Sequence, residues 1–271
     1  MTGASPARTV VLIHGLWMTP RSWEKWTERY RAQGHRVLAP AWPGVEGEVE
    51  EIRRDPSRIA GVGQREVVAH YEEVVRGLDR APVLMGHSFG GAVTQILLDR
   101  GLGSAGVAID SAPVKGVLPL PYSTLKSAWP VLGNPANASR AISLTPRQFH
   151  YAFTNTLGEA ESAAVHARYQ VPGSARMLFQ GAFANFHPRA AAKVDFRNGR
   201  RAPLLFIAGG ADHITPPKVN RANWRRYRKS PAVTDYHEFP GRSHFTLGQD
   251  GWEEVADYAL DWAVRHDHDS L

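Results

Sequence analysis

The chain has 271 residues, 43% hydrophobic and 21% charged, with 32 Lys+Arg against 26 Asp+Glu and no cysteine. Those figures exclude a wholly disordered chain and a fibrous repeat, and the missing cysteines exclude disulfides, thiolate metal sites and a cysteine nucleophile. No run approaches the roughly 18 to 20 apolar residues of a membrane-spanning helix, and the one dense run of the +6 surplus, Arg225-Arg226-Tyr227-Arg228-Lys229, reads as a solvated helix face rather than a nucleic-acid stripe.

From the amino terminus, a short apolar run at 9–13 predicts the first buried strand. The eight residues before it show no charged-then-apolar leader, so the expected compartment is the cytoplasm. A helix is expected at 20–33, where Trp23, Trp26 and Tyr30 are spaced three and four apart and form a core-facing stripe. Strands at 36–39, 82–86 and 105–109 then alternate with helices at 64–80 and 89–101, the pattern of a parallel sheet covered by helices. After 109 the alternation stops. Residues 111–200 are rich in proline, with helix-compatible pieces near 122–132, 146–154, 159–168 and 174–184 and no clear strand. A bare loop of that length is improbable, so a helical cap is expected at 113–200, inserted into a core made of 1–112 and 201–271. Strands at 203–208 and 234–239 and helices at 217–229 and 251–266 complete the pattern.

The stretch with chemical content is Val83-Leu84-Met85-Gly86-His87-Ser88-Phe89-Gly90-Gly91-Ala92, a buried strand running through G-x-S-x-G into an apolar helix. A sharp strand-to-helix turn strains its middle residue, and flanking glycines let neighbouring backbone approach. Ser88 would project its hydroxyl from the top of the sheet, at the positive end of a helix. A serine hydroxyl needs an adjacent base held by a third group. The base candidate is His244, in Gly241-Arg242-Ser243-His244-Phe245 between the last strand and the last helix. The acid candidate is Asp212, which follows a strand through Gly209-Gly210-Ala211 and precedes a proline-started helix; Asp110, just past another strand, is its rival. Developing negative charge needs fixed N–H donors. Phe89 offers one from its backbone; the other is expected from Leu16, with Trp17 second, in the loop after the first strand. Gly15 would let that loop turn tightly beside Ser88, and His14 would buttress the turn.

The segments strand-HG-x-x, G-H-S-F-G-G, G-x-A-D-x-x-x-P and G-x-S-H, in this order, resemble the α/β-hydrolase superfamily over nearly the whole chain. The stretch from Trp17 to Gly44 is also similar to small capped esterases and hydroxynitrile lyases of that group. The resemblance implies an α/β-hydrolase fold, mostly parallel and six-stranded, with a helical cap insertion. It also implies a Ser88–Asp212–His244 triad and an oxyanion hole from the Leu16 and Phe89 backbones. The chain departs from larger members in having only eight residues before Thr9, too few for their opening hairpin, and in reading Ala41-Trp42-Pro43-Gly44 where an aspartate is usual. That makes Trp42 a surface or pocket-rim candidate.

The expected function is cleavage of carboxylic esters with small to medium apolar acyl or aryl groups, through an acyl-enzyme on Ser88, without metal or organic cofactor. Trp17, Trp129, Phe149, Phe153 and Phe183 are candidates for the substrate wall. The expected partner is a small-molecule substrate, with neither nucleic acid nor membrane; the oligomeric state is not readable. The alternative keeps the triad and changes the reaction to lactone opening, C–C hydrolysis, perhydrolysis or cyanohydrin cleavage, or makes the fold a small-molecule receptor. A lysine over the pocket would favour cyanohydrin chemistry, and Lys115, Lys126 and Lys193 are the candidates.

Overall fold

The computed structural model describes residues 7–267. Its amino-terminal part contains β1 (Thr9–Ile13), α1 (Glu24–Ala32), β2 (Arg36–Leu38), α2 (Val49–Arg54), α3 (Ser57–Ala60), α4 (Gln64–Arg76), β3 (Val83–His87), α5 (Phe89–Asp99) and β4 (Ala105–Ile109). An intervening segment follows, with α6 (Tyr122–Leu132), β5 (Ala141–Ile142), α7 (Pro146–Phe153), α8 (Glu159–Tyr169), β6 (Gly173–Ser174) and α9 (Ala175–Ala182). The chain then returns through β7 (Leu204–Gly209), α10 (Pro217–Arg226), β8 (Thr234–Phe239) and α11 (Trp252–Arg265).

Six strands form one sheet in the order β2-β1-β3-β4-β7-β8, and every neighbouring pair is parallel. Alternate residues of each strand face opposite sides, and the two sides bury different partners. Val10, Leu12, Val83, Met85, Val107 and Leu205 pack with Trp23, Trp26 and Tyr30 and with the inner face of α11. Val11, Ile13, Leu84, Ala108 and Phe206 pack with α4, α5 and the intervening segment. The aromatic stripe of the first helix is core, as its spacing predicts: all three rings are buried, Trp26 Nε1 donates to the Leu247 carbonyl (3.0 Å) and the Tyr30 hydroxyl to that of Ala256 (2.7 Å).

Differences from the sequence reading lie where elements are short. α2 and α3 have six and four residues and were not anticipated. α2 buries only Val49 and Ile52, too little for a helical period to show. The strandless expectation for 111–200 is corrected by a two-residue antiparallel ribbon, Ala141 opposite Ser174 and Ile142 opposite Gly173. Two residues leave no alternation to read. Ends also move by a few residues: β3 runs one residue further, to His87, and the helix expected to reach residue 80 stops at Arg76, before Gly77.

Candidate active site

Parallel strands gather the loops after their carboxyl ends along one edge of a sheet, and the sequence candidates lie there. Leu16 follows β1, Ser88 follows β3, Asp110 follows β4, Asp212 follows β7 and His244 follows β8. Three non-glycine residues have positive φ among those described, Trp17 (65°), Ser88 (56°) and Asp110 (43°), and all belong to this corner. Such conformations cost of order 1 to 3 kcal/mol each and persist only where the surroundings enforce them.

For Ser88 the enforcing contacts are backbone. Its N–H donates to the Ile109 carbonyl (2.9 Å), and its own carbonyl accepts from Gly91 and Ala112 (2.9 Å each). The glycines on either side are required by space. A Cβ on Gly86 would lie 2.0 Å from the Gly90 carbonyl oxygen, and one on Gly90 would lie 2.1 Å from that of Ile13. The motif therefore encodes a backbone crossing too tight for any side chain.

His244 is completely buried, and its Nδ1 lies 2.7 Å from Asp212 Oδ2. A carboxylate only accepts, so Nδ1 carries the proton and Nε2 keeps its lone pair. That Nε2 is enclosed and hydrogen-bonded to nothing, so the Ser88 hydroxyl does not donate to it in this state. Burial alone would depress the His244 pKa, but the charge and hydrogen bond of Asp212, with Asp110 behind them, outweigh it and raise it above the ordinary imidazole value. Asp212 is oriented in turn. Its Oδ1 accepts from the Ile214 and Thr215 N–H groups (2.7 and 3.0 Å), and its Oδ2 from the Thr215 hydroxyl (2.9 Å). Thr215 was not singled out from sequence, although Asp-x-x-Thr ahead of Pro216 and Pro217 is a turn-and-cap pattern that could have flagged it.

Asp110, the rival acid, does not face the imidazole nitrogen that Asp212 takes. Its Oδ1 accepts from Gly209 N–H (2.5 Å), and burial, then the nearby charge of Asp212, push its pKa up to about 8. His87, also missed, ends β3 beside His244: its Nε2 donates to the His244 carbonyl (2.8 Å), and the two rings are 4.6 Å apart. Burial and the neighbouring His244 drive its pKa well down, so it is neutral. His87, Asp110 and His244 each bring one ligand atom within 4.8 Å of the others, the one such grouping among the described residues. Each of the three makes a hydrogen bond within the protein through one atom, His87 Nε2, Asp110 Oδ1 and His244 Nδ1, and keeps a second buried polar atom, His87 Nδ1, Asp110 Oδ2 and His244 Nε2, that bonds to nothing.

The β1 loop presses on the serine. A Cβ on Gly15 would lie 2.8 Å from Ser88 Cβ, which puts the Gly15–Leu16 peptide against the elbow. No hydrogen bond among the described residues uses the backbone N–H of Leu16 or Phe89. His14 stacks on Trp42 (4.9 Å between ring centres), accepts from Trp42 N–H at Nε2 (3.1 Å) and donates through Nδ1 to the Gly15 carbonyl (2.9 Å). Burial lowers its pKa to about 4, so it braces the turn as a neutral ring. Trp42 is thus buried and not a surface aromatic.

The intervening segment closes over this corner. Trp17 Nε1 donates to the Ile142 carbonyl (3.0 Å), and the Trp17 carbonyl accepts from Val171 (2.9 Å). Phe153 lies edge-on to His244 (5.0 Å) with Phe149 stacked behind it (4.8 Å), and Phe245 N–H donates to the Phe153 carbonyl (2.9 Å). Gly181 packs on the Phe89 ring. Ser88 is left 5% exposed and His244 0%. Of the expected wall residues, Trp17, Phe149 and Phe153 are brought together here. Trp129 and Phe183 are not: they stand 69% and 55% exposed on the outside, because their helical spacing serves an outer face. Lys126 lies over the Tyr151 ring (4.0 Å), on a cleft of about 780 Å³ between α6, α7 and α8 that includes neither Ser88 nor His244.

The model of the alpha/beta hydrolase family matches residues 10–258, and the chain belongs to that family. A search of curated proteins by sequence returns no significant match. Among solved structures, a monoacylglycerol lipase of Paleococcus ferrophilus is similar with a TM-score of 0.64 and 23% identity, covering 95% of this chain and 94% of that one. An extracellular alpha/beta-hydrolase from a Paenibacillus species has a TM-score of 0.66 and 19% identity, covering 97% and 100%. A pyrethroid hydrolase from Sphingobium faniae has a TM-score of 0.65 and 18% identity, covering 95% and 98%. These likenesses carry the fold. A hydrolase is what family and neighbours together support.

Proposed function

We propose that the chain is a serine hydrolase that cleaves carboxylic esters of small to medium apolar acyl or aryl groups through an acyl-enzyme on Ser88. The observation that carries the proposal is the buried His244–Asp212 pair, whose free Nε2 lone pair lies at the same strand edge as a serine held in a strained elbow. Ser88 attacks the ester carbonyl while His244 Nε2 takes its proton. Asp212 stabilises the imidazolium, and the oxyanion is met by the Leu16 and Phe89 N–H groups. Collapse expels the alcohol, which leaves with the proton from His244. Water, deprotonated by the same nitrogen, then frees the acid and restores the serine. Residues 113–200 act as the lid, which must swing off Trp17, His244 and Phe89 to admit a substrate, since Ser88 is 5% exposed. The apolar ring surfaces of Phe149 and Phe153 beside His244 favour apolar acyl or aryl groups. Lys126, a candidate for cyanohydrin chemistry, lies exposed on the cleft that includes neither Ser88 nor His244.

The test is turnover of p-nitrophenyl esters of increasing acyl length by the wild type and Ser88→Ala. The expected loss is at least about 10³-fold in kcat/KM, with a stoichiometric burst of nitrophenol from the wild type. Equal turnover by both proteins would remove the acyl-serine mechanism.

A further inference from the structure

Charge and apolar exposure are both concentrated in one part of the molecule. Residues 113–200 carry ten Lys+Arg against three Asp+Glu, whereas the remainder carries 22 against 23. The segment between β4 and β7 is therefore net positive, while the remainder, which includes the basic run at 225–229, is close to balanced. The same segment holds seven of the eight large hydrophobic side chains that stand exposed among the described residues.

Those seven form a surface. Tyr122, Leu125 and Trp129 occupy positions i, i+3 and i+7 of α6 and so share a helix face, with Leu118 and Leu120 leading into it. Phe183 and Phe186 follow at the end of α9, their rings 6.5 Å apart. Asn185 ties the two stretches together: its Oδ1 accepts from Gly116 N–H (2.6 Å), and its Nδ2 donates to the Val117 carbonyl (3.0 Å). Scattered exposed apolar residues are ordinary, but a joined patch of this kind marks an interaction surface.

A cationic cleft borders the patch. It measures about 520 Å³ and is lined by Phe196, Arg197, Arg225, Arg226, Arg228 and Lys229, with Asp195 its one acidic wall. The Arg226 guanidinium lies over the Phe196 ring (4.9 Å) and against Gly116, where a Cβ would come within 3.2 Å of its Nη2. Gly116 is two residues from Leu118. The basic run whose sequence suggests only a solvated face thus abuts the apolar one.

We infer that this face docks on the surface of anionic amphiphiles, a bilayer or micelle with anionic headgroups. The apolar side chains enter the boundary between headgroups and acyl chains, and the cationic cleft faces the headgroups. A second copy of the chain is the poorer occupant, because a two-fold pair would lay the same cationic surface against itself. No described helix is long and apolar enough to cross a membrane, and a face that lies on an interface needs none. Such docking would depart from the sequence expectation of no membrane partner. Docking rests on exposed side chains only and is independent of the chemistry at Ser88.

The test is sedimentation of the full chain with phosphatidylcholine vesicles and with vesicles containing about 30 mol% phosphatidylglycerol. Wild type and Ser88→Ala are expected to bind the anionic vesicles alike, and more weakly as salt is added. The double variant Leu125→Ser/Trp129→Ser is expected to lose at least about tenfold in partitioning. Arg225→Glu/Arg228→Glu should lose the preference for anionic vesicles. All four positions are exposed, so the fold is not at stake. The inference is overturned if the wild type ignores anionic vesicles at low salt. It is overturned equally if charge reversal abolishes binding while the apolar double variant keeps it, which would mark a polyanion site. A lipid-free dimer that the apolar variant dissociates would assign the face to a second copy.

Discussion

The carboxyl edge of the sheet and the segment that covers it meet at Ser88 but are built under different constraints. At the edge, backbone approaches backbone: Gly86, Gly90 and Gly15 each lie where a methyl group would collide, and Ser88 is held by four main-chain hydrogen bonds. The covering segment touches that edge through side chains, Trp17 to Ile142 and Phe153 to His244, and through the main-chain bonds of Val171 to Trp17 and Phe245 to Phe153, and it turns its other face outward with large apolar groups exposed. The difference teaches that reaction geometry rests on main-chain sterics, which tolerate no change. The outward face rests on side chains, which can be exchanged.

The sharpest way to press that comparison lies within the edge. Asp212→Asn should lower kcat by about 10⁴-fold, since an amide cannot hold the imidazole in the required tautomer. Asp110→Asn, whose carboxyl is turned to Gly209, should cost less than about tenfold. Equal losses would mean that both carboxyls serve the base. The pH profile carries the sign. On the proposed mechanism neutral His244 is the base, so turnover should fall as pH drops through its raised pKa; removing the Asp212 charge should shift the acid limb of the residual activity to lower pH.

A stability contrast between the regions is the next largest effect. Gly90→Ala forces a Cβ to 2.1 Å from the Ile13 carbonyl oxygen and should destabilise the protein by at least about 3 kcal/mol in chemical denaturation. Gly158→Ala, before α8, meets nothing within 4 Å and should stay within about 0.5 kcal/mol of wild type. Similar losses for the two would erase the distinction drawn here. The smallest effect is at the seam. Trp17→Phe keeps an aromatic ring but removes the 3.0 Å hydrogen bond to Ile142 and part of the buried indole, an expected loss of at least about 1 kcal/mol seen as a lowered Tm. An unchanged Tm would show that this bond does not fasten the β1 loop to the ribbon.

Legibility followed the same division. Strands of five or six residues buried on both faces announced themselves as apolar runs, and G-H-S-F-G-G lay between one of them and a buried helix. Asp212 and His244 could be named because each follows a strand through small, turn-forming residues. α2, α3 and the β5–β6 ribbon could not, being too short for any period to repeat. Trp129 and Phe183 show the other limit. Helical spacing says which residues share a face but not which way that face looks, and theirs looks outward.

From the order of its residues alone this chain determined an alternation of strand and helix, a glycine-flanked serine, and the loops from which an acid and a base would come. Those features are local: strand length, helical period and the steric freedom of glycine act over a few neighbours. Folding decided which carboxylate meets His244 and that the serine is shut in. It also decided that the apolar side of α6 and the basic turn after α10 form one surface. These are contacts between residues from 32 to more than 100 positions apart, and no local preference encodes a distance of that kind.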